Sequence, residues 1–234
     1  MKAITRKPEK RATSHRRRIL IVDDHPLFRQ GISLMISHEP DMVVCGEAET
    51  AVQALSEMER LDPDLAIVDV SLKGTNGIEL VKSMRSLRPD LPVLVLSMHD
   101  ESLYAERALR AGGRGYIMKQ APPEQVMDAI RRVLKGELYL SPDANRRLLH
   151  TFVSGREHGA GTSSVEHLSD RELEVFELLG KGRGTAQIAH ELKVSIKTVE
   201  AHRAHIKTKL SLQTAPELVR AAVEWVDNEA RGKR

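Results

Sequence analysis

The chain has almost no cysteine: Cys45 is the single one among 234 residues. One thiol cannot build an internal disulfide framework, so a core must hold the fold, and a reducing cytoplasm is the expected home. Cys45 lies in a strand-like run and reads as a small core residue. No apolar run is long enough to span a bilayer. The first residues are basic but lack the apolar stretch of a secretory signal. What is present is enough chain for one or two domains, each with its own core.

The net charge of +3 conceals an uneven distribution. Residues 1–18 carry eight Lys or Arg against one Glu, a balance of +7. Residues 19–165 carry sixteen against twenty-one, −5, and residues 166–234 carry twelve against eleven, +1. The basic head (Lys2, Arg6, Lys7, Lys10, Arg11, Arg16, Arg17, Arg18) has little apolar content and is expected to be disordered. It either touches nucleic acid or is a solvated extension.

Residues 19–135 alternate strand and helix signals. Short apolar runs at 19–22, 42–46, 65–68, 92–96 and 115–118 read as strands, and the stretches 26–38, 50–60, 77–87, 102–111 and 123–134 as helices with apolar stripes. Five β/α repeats predict a doubly wound parallel five-stranded sheet of the α/β class. Parallel strands put all their carboxyl ends on one edge, where such folds bind ligands. The residues there are Asp23 and Asp24, then Asp69, Ser97 and Lys119. Three adjacent carboxylates repel unless a cation joins them, and an all-oxygen site suits Mg²⁺. With Lys119 and Mg²⁺ to neutralise phosphoryl oxygens and Ser97 to donate a hydrogen bond, the set is equipped to move a phosphoryl group onto the Asp69 carboxylate.

The stretches ILIVDDHPLFRQG, LAIVDVSL, NGIEL, VLVLSMHD and GYIMK resemble the receiver domain of two-component response regulators, a flavodoxin-like fold. The resemblance implies that Asp24 and Asp69 hold Mg²⁺ directly with the Ser71 carbonyl, and that Asp23 acts through water. It implies that Ser97 and Tyr116 are the pair that reports phosphorylation, and that a histidine kinase is the phosphodonor. Lys73 departs from the family, which usually has proline there. An Mg²⁺-dependent aspartyl phosphohydrolase is the rival of another class. It needs a second carboxylate near the first, and the residue two along from Asp69 is Ser71.

Residues 139–165 read as a linker, with a short helix over 141–152 and a Gly/Ser-rich tether over 154–164. This places the domain boundaries at 1–18 (tail), 19–138 (receiver), 139–165 (linker), 166–228 (second domain) and 229–234 (tail). The second domain reads as all-α. Ser169 and Glu172 form a capping box ahead of a stripe of Leu173, Val175, Phe176, Leu178 and Leu179. Helices at 185–192 and 196–210, joined by a tight turn, predict a helix-turn-helix. From Lys193 to Lys209 five basic residues face one acid, and the small Ala201 and Ala204 leave room for a groove. Lys197, Thr198, Glu200, Ala201, Arg203, Ala204 and Lys207 are the expected contacts to double-stranded DNA. His202 and His205 have no third ligand to complete a metal site.

LSDRELEVFELL, IAHELKVSIKTVEAH and IKTKL resemble the LuxR-type DNA-binding domain, so the whole chain resembles a NarL/LuxR-class response regulator. It departs from the family at Gly184-Thr185-Ala186-Gln187 and over residues 211–215. The resemblance implies a transcription factor rather than an enzyme, switched by phosphorylation, with the receiver blocking or freeing the recognition helix. It also implies a homodimer built on the last helix, at 215–226. A regulator switched by protein contacts without phosphate is the alternative.

Overall fold

The computed structural model describes residues 16–153 and 164–231. The basic head up to residue 15 and the tether, apart from Ser164, lie outside the described residues. In chain order the first half runs β1 (Arg17–Val22), α1 (Pro26–Ser37), β2 (Met42–Ala48), α2 (Ala51–Leu61), β3 (Leu65–Asp69), β4 (Ser71–Leu72), β5 (Thr75–Asn76), α3 (Gly77–Leu87), β6 (Val93–Ser97), α4 (Glu101–Arg110), β7 (Gly115–Met118) and α5 (Pro123–Leu134). Among the described residues the main sheet has five strands, all parallel, in the order β2-β1-β3-β6-β7. The reversal of strand order beside β1 creates a crevice at the carboxyl ends of β1 and β3.

Strand alternation splits the core into two layers. Leu20, Val22, Ala66, Val68, Val93 and Val95 face α3 and α4 through Ile78, Val81, Met84, Ala105 and Ala108. Ile19, Ile21, Leu65, Ile67, Leu94 and Leu96 face α1 and α5 through Ile32, Ile36, Val126, Ile130 and Val133. Both faces being covered explains the unbroken apolar runs.

Two features differ from expectation. β1 begins at Arg17, inside the segment expected as a disordered head: Arg17 pairs with Asp64 at 3.2 Å, and Arg18 donates to the Leu61 carbonyl at 2.8 Å. Their partners lie far along the chain, so charged residues here continue a strand that apolar content alone would stop. A small antiparallel hairpin, β4 with β5, also follows Asp69 and turns at Lys73 and Gly74. It brings Gly77 against β3, where a Cβ would stand 1.8 Å from the Asp69 carbonyl oxygen. Only glycine fits that approach.

The second half holds α6 (Pro142–Val153), a 3-10 turn (Ser164–His167), α7 (Asp170–Gly180), α8 (Thr185–Glu191), α9 (Ile196–Lys209) and α10 (Ala215–Arg231). Leu173, Phe176, Ile188, Val199, Ile206, Leu218 and Ala222 form its core, with Phe176 and Trp225 rings 5.6 Å apart. On α10, Leu218 and Ala222 are buried in their own domain, while Val219 and Val223 are exposed.

Candidate functional site: an acidic strand-end cluster and a basic helix

Register delivers the cluster. Val22 pairs with Val68, so Asp23 comes level with Asp69, and Ser97 pairs with Met118, the residue before Lys119. Lys119 Nζ lies 2.7 Å from both Asp69 Oδ2 and Asp23 Oδ2, and 4.5 Å above the Phe28 ring. Asp23, Asp69, Ser97 and Lys119 are all buried. Burial pushes the Asp69 carboxyl up, Lys119 opposes it and Asp23 adds to it, leaving Asp69 at about 6.

Asp69 Oδ1 and Asp24 Oδ1 are buried with no hydrogen-bond donor. His25 Nδ1 stands 2.9 Å from Asp24 Oδ1, but without the alignment of a hydrogen bond. Ligand atoms of Asp23, Asp24, His25 and Asp69 lie within 4.8 Å of one another. Orphaned carboxylate oxygens converging at a strand edge fit a hard divalent cation. Ser71 follows in β4, and its hydroxyl bonds His99 Nε2 at 2.8 Å. Lys73 is exposed at the hairpin turn.

Ser97 and Tyr116 meet on the backbone of His99. The His99 amide donates to Ser97 Oγ at 3.1 Å, and the Tyr116 hydroxyl donates to the His99 carbonyl at 2.8 Å. Tyr116 is buried, which raises its pKa, and a hydrogen bond with Ser97 works against that rise.

In the second domain, Ser169 and Glu172 form the expected capping box, and the Thr198 amide donates to Ser195 Oγ at 3.0 Å to cap α9. Lys197, Thr198, Glu200, Ala201 and Ala204 are exposed along α9; Arg203 and Lys207 are half-buried. Arg203 turns back to the Thr185 hydroxyl of α8. Among the described ion pairs none involves Glu200.

Sequence reasoning missed the surface between the halves. α7 buries Asp170, Glu172, Glu174 and Glu177, four acids in one helix. Arg107 Nη1 reaches Asp170 at 3.0 Å and the Leu168 carbonyl at 2.9 Å, and Lys82 Nζ reaches Asp170 at 3.2 Å. His99 Nδ1 meets Glu177 Oε2 at 3.1 Å and its Nε2 lies 3.6 Å from Glu174; the Tyr104 hydroxyl donates to Glu177 at 3.3 Å. Lys193, in the turn between α8 and α9, pairs with Asp24. Burial disfavours charge on His99, but the carboxylates of Glu177 and Glu174 outweigh it and raise its pKa. The one local signal is that positions 170, 174 and 177 share a helical face; such an acidic face calls for cationic partners only once it is known to be buried.

The family described as the response regulator receiver domain matches residues 19–131, and that of the bacterial regulatory proteins of the luxR family matches residues 166–222. The oxygen regulatory protein NreC of Staphylococcus carnosus is 38% identical over 210 residues, spanning 88% of this chain and 97% of that one. RcsB from Salmonella enterica serovar Typhimurium, solved bound to promoter rprA with the phosphomimetic BeF3−, superposes with a TM-score of 0.57 at 27% identity, over 88% of this chain and 98% of that one. A LuxR-family two-component response regulator from Aurantimonas has a TM-score of 0.56 at 33% identity, over 59% of this chain and 99% of that one.

Proposed function

The chain belongs to the DNA-binding response regulators of two-component systems, which join a receiver domain to a LuxR-type helix-turn-helix domain, and from that premise we propose that Asp69 is the phosphoacceptor through which a histidine kinase controls DNA binding. The observation that carries this is Asp69 itself: buried at a strand end, one oxygen held by Lys119 and the other without a donor. A carboxylate oxygen attacks phosphorus, the bond from phosphorus to the kinase imidazole breaks, and that electron pair stays on the imidazole nitrogen. Lys119 neutralises the charge carried onto Asp69, and the Ser97 hydroxyl donates to a phosphoryl oxygen. Asp24, Asp69 and the Ser71 carbonyl would hold Mg²⁺, with Asp23 acting through water. Bound there, Mg²⁺ supplies electrostatic stabilisation of the transferring phosphoryl group.

The domain division goes with this reading: receiver at 19–138, linker at 139–165, DNA-binding domain at 166–228, acting in the cytoplasm. Lys197, Thr198, Arg203 and Lys207 serve the phosphates, and Glu200, Ala201 and Ala204 the base edges. Phosphorylation favours a homodimer, for which Val219 and Val223 of α10 are the exposed apolar residues. The docked receiver grips α7 and the turn before α9 and leaves the α9 contact residues exposed. Inhibition therefore works by holding the two domains together at that turn, not by covering the recognition helix. When Ser97 turns to the phosphoryl group, the His99 amide loses its acceptor and the His99 ring its alignment on Glu177. This shifts a two-state equilibrium towards the undocked form.

The test is Asp69→Asn exposed to acetyl phosphate and Mg²⁺. Acid-labile phosphate labelling should vanish while helical content stays. Undiminished labelling of this variant overturns the assignment.

A further inference from the structure

The three carboxylates at the strand ends have two ammonium partners, one from each domain. Lys119 serves Asp23 and Asp69. Asp24, whose side chain is 5% exposed, has its Oδ2 taken by Lys193, which lies 169 positions away in sequence. Lys193 has a side chain that is 38% exposed, but it leaves a defined turn. Its backbone is in the left-handed region at φ 53, an unusual place for a long side chain, and its amide is held by the His190 carbonyl at 3.2 Å. That conformation fixes the turn between α8 and α9 and sets the direction in which the lysine leaves it. The cleft it closes is lined by His25 on the receiver side and by Arg183, Gln187, His190 and Glu191 on the other.

We propose that Lys193 is a built-in cation that holds the Asp24 carboxylate while the domains are docked, so that a divalent cation entering the strand-end cluster competes with it and loosens the turn before α9. The inference rests on the reading of this cluster as the phosphorylation centre and adds to it a competitor supplied by the DNA-binding domain. Lys193 and a divalent cation compete: Asp24 Oδ1 is free while Lys193 holds Oδ2, but the single carboxylate charge is then shared, and an ammonium beside a divalent ion is repelled by it in a partly buried, low-dielectric site. Linkage then runs both ways: whatever favours docking weakens metal binding by the same factor, and the reverse. Lys193 lies two residues before Ser195, the N-cap of α9, so its release acts directly on the turn that leads into the recognition helix.

The experiment titrates MgCl₂ alone, with no phosphodonor, into the full chain by calorimetry. It compares wild type with Lys193→Met, which keeps the stem and removes the charge, and with Arg183→Met, which removes a cation lining the same cleft without a bond to Asp24. Amide hydrogen exchange of the 193–195 turn is followed in parallel. A pair with one exposed and one buried partner predicts that Lys193→Met binds Mg²⁺ about fivefold more tightly, with Arg183→Met close to wild type. In wild type, Mg²⁺ should speed exchange at the turn; in Lys193→Met exchange should be fast already and insensitive to Mg²⁺. Equal Mg²⁺ affinity in wild type and Lys193→Met overturns the proposal. So does equal tightening in both variants, which would reduce the effect to general charge. If either result comes with normal Asp69 labelling, the phosphorylation reading stands and only the Lys193 role falls. If neither wild type nor variant binds Mg²⁺ or takes label, both fall.

Discussion

Replacing Glu177 by glutamine keeps the shape of the side chain and removes one charge at the centre of the docked surface. Glu177 Oε2 meets His99 Nδ1 at 3.1 Å and the Tyr104 hydroxyl at 3.3 Å, and the side chain is 6% exposed. Burial pushes this carboxyl up, yet the His99 bond and charge, helped by Lys181, hold it at about 2 against an ordinary 4.5. A hydrogen bond to a charged group contributes about 1.5–3 kcal/mol. The Lys181 contact lies within α7 and survives undocking, so only the His99 and Tyr104 share belongs to the interface. At about 1.4 kcal/mol per factor of ten, the docked-to-undocked ratio should fall roughly ten- to a hundredfold.

The assay is fluorescence anisotropy on a duplex enriched from a randomised pool, with protein that has seen no phosphodonor. Glu177→Gln should bind at least about tenfold more tightly than wild type and gain little from phosphorylation. Lys181→Met is the control: its bond to Glu177 lies within α7 and its charge opposes that of His99, so its loss should not weaken docking. A folded Glu177→Gln that binds as weakly as unphosphorylated wild type, and still responds fully to phosphodonor, would refute the claim that docking at α7 restrains DNA binding.

Glu200→Ala should relax preference at one base pair by roughly 1–3 kcal/mol, whereas Lys197→Ala should weaken binding to all sequences alike; binding selection on a randomised operator that returns wild-type preferences for Glu200→Ala would reject base readout. Docking should depend on pH through His99 and Glu177, with Glu174 and Lys181 also facing the ring. His99 is raised in the docked form, so its contribution is full below its ordinary 6.5 and is lost as pH rises through the raised value. Glu177 is lowered, so its contribution is present above 4.5 and is lost as pH falls towards about 2. Domain docking followed by hydrogen exchange of α7 should therefore be tightest between 4.5 and 6.5 and loosen on the alkaline side, and His99→Gln should flatten that alkaline limb.

The sheet was legible because its strands are buried on both faces and each apolar run stops at a polar residue. Asp23, Asp69, Ser97 and Lys119 are placed together by the sequence pattern alone, since parallel strands leave their carboxyl ends on one edge. The same rule failed where hydrophobicity is not the reason for order. Arg17 and Arg18 belong to β1 because Asp64 and the Leu61 carbonyl satisfy them, and an apolar run gives no sign of that. The β4–β5 hairpin has two residues in each strand, too few for any period to register.

The docking of the halves was hidden for a different reason. A charged helix face is assigned to solvent by default, and the acids of α7 are answered by Lys82, His99 and Arg107, whose separations from their partners in sequence are 88, 78 and 63 residues. No local rule sees such pairs. Bulk charge pointed the wrong way as well: residues 19–165 total −5, yet at this surface the receiver supplies the cations and α7 the carboxylates. Among the described ion pairs across the surface, Lys193 with Asp24 alone runs in the opposite sense. That inversion has a consequence for control. The Asp170 pairs made by Lys82 and Arg107 contain none of the strand-end carboxylates, so they set a baseline affinity between the domains that phosphoryl chemistry does not touch directly. His99 and Lys193 are different, one tied to Ser97 through its backbone and the other to Asp24 through its charge. With Asp69 as the proposed phosphoacceptor, a signal arriving there has two short paths into the DNA-binding domain, and neither needs a rearrangement of the core to carry it.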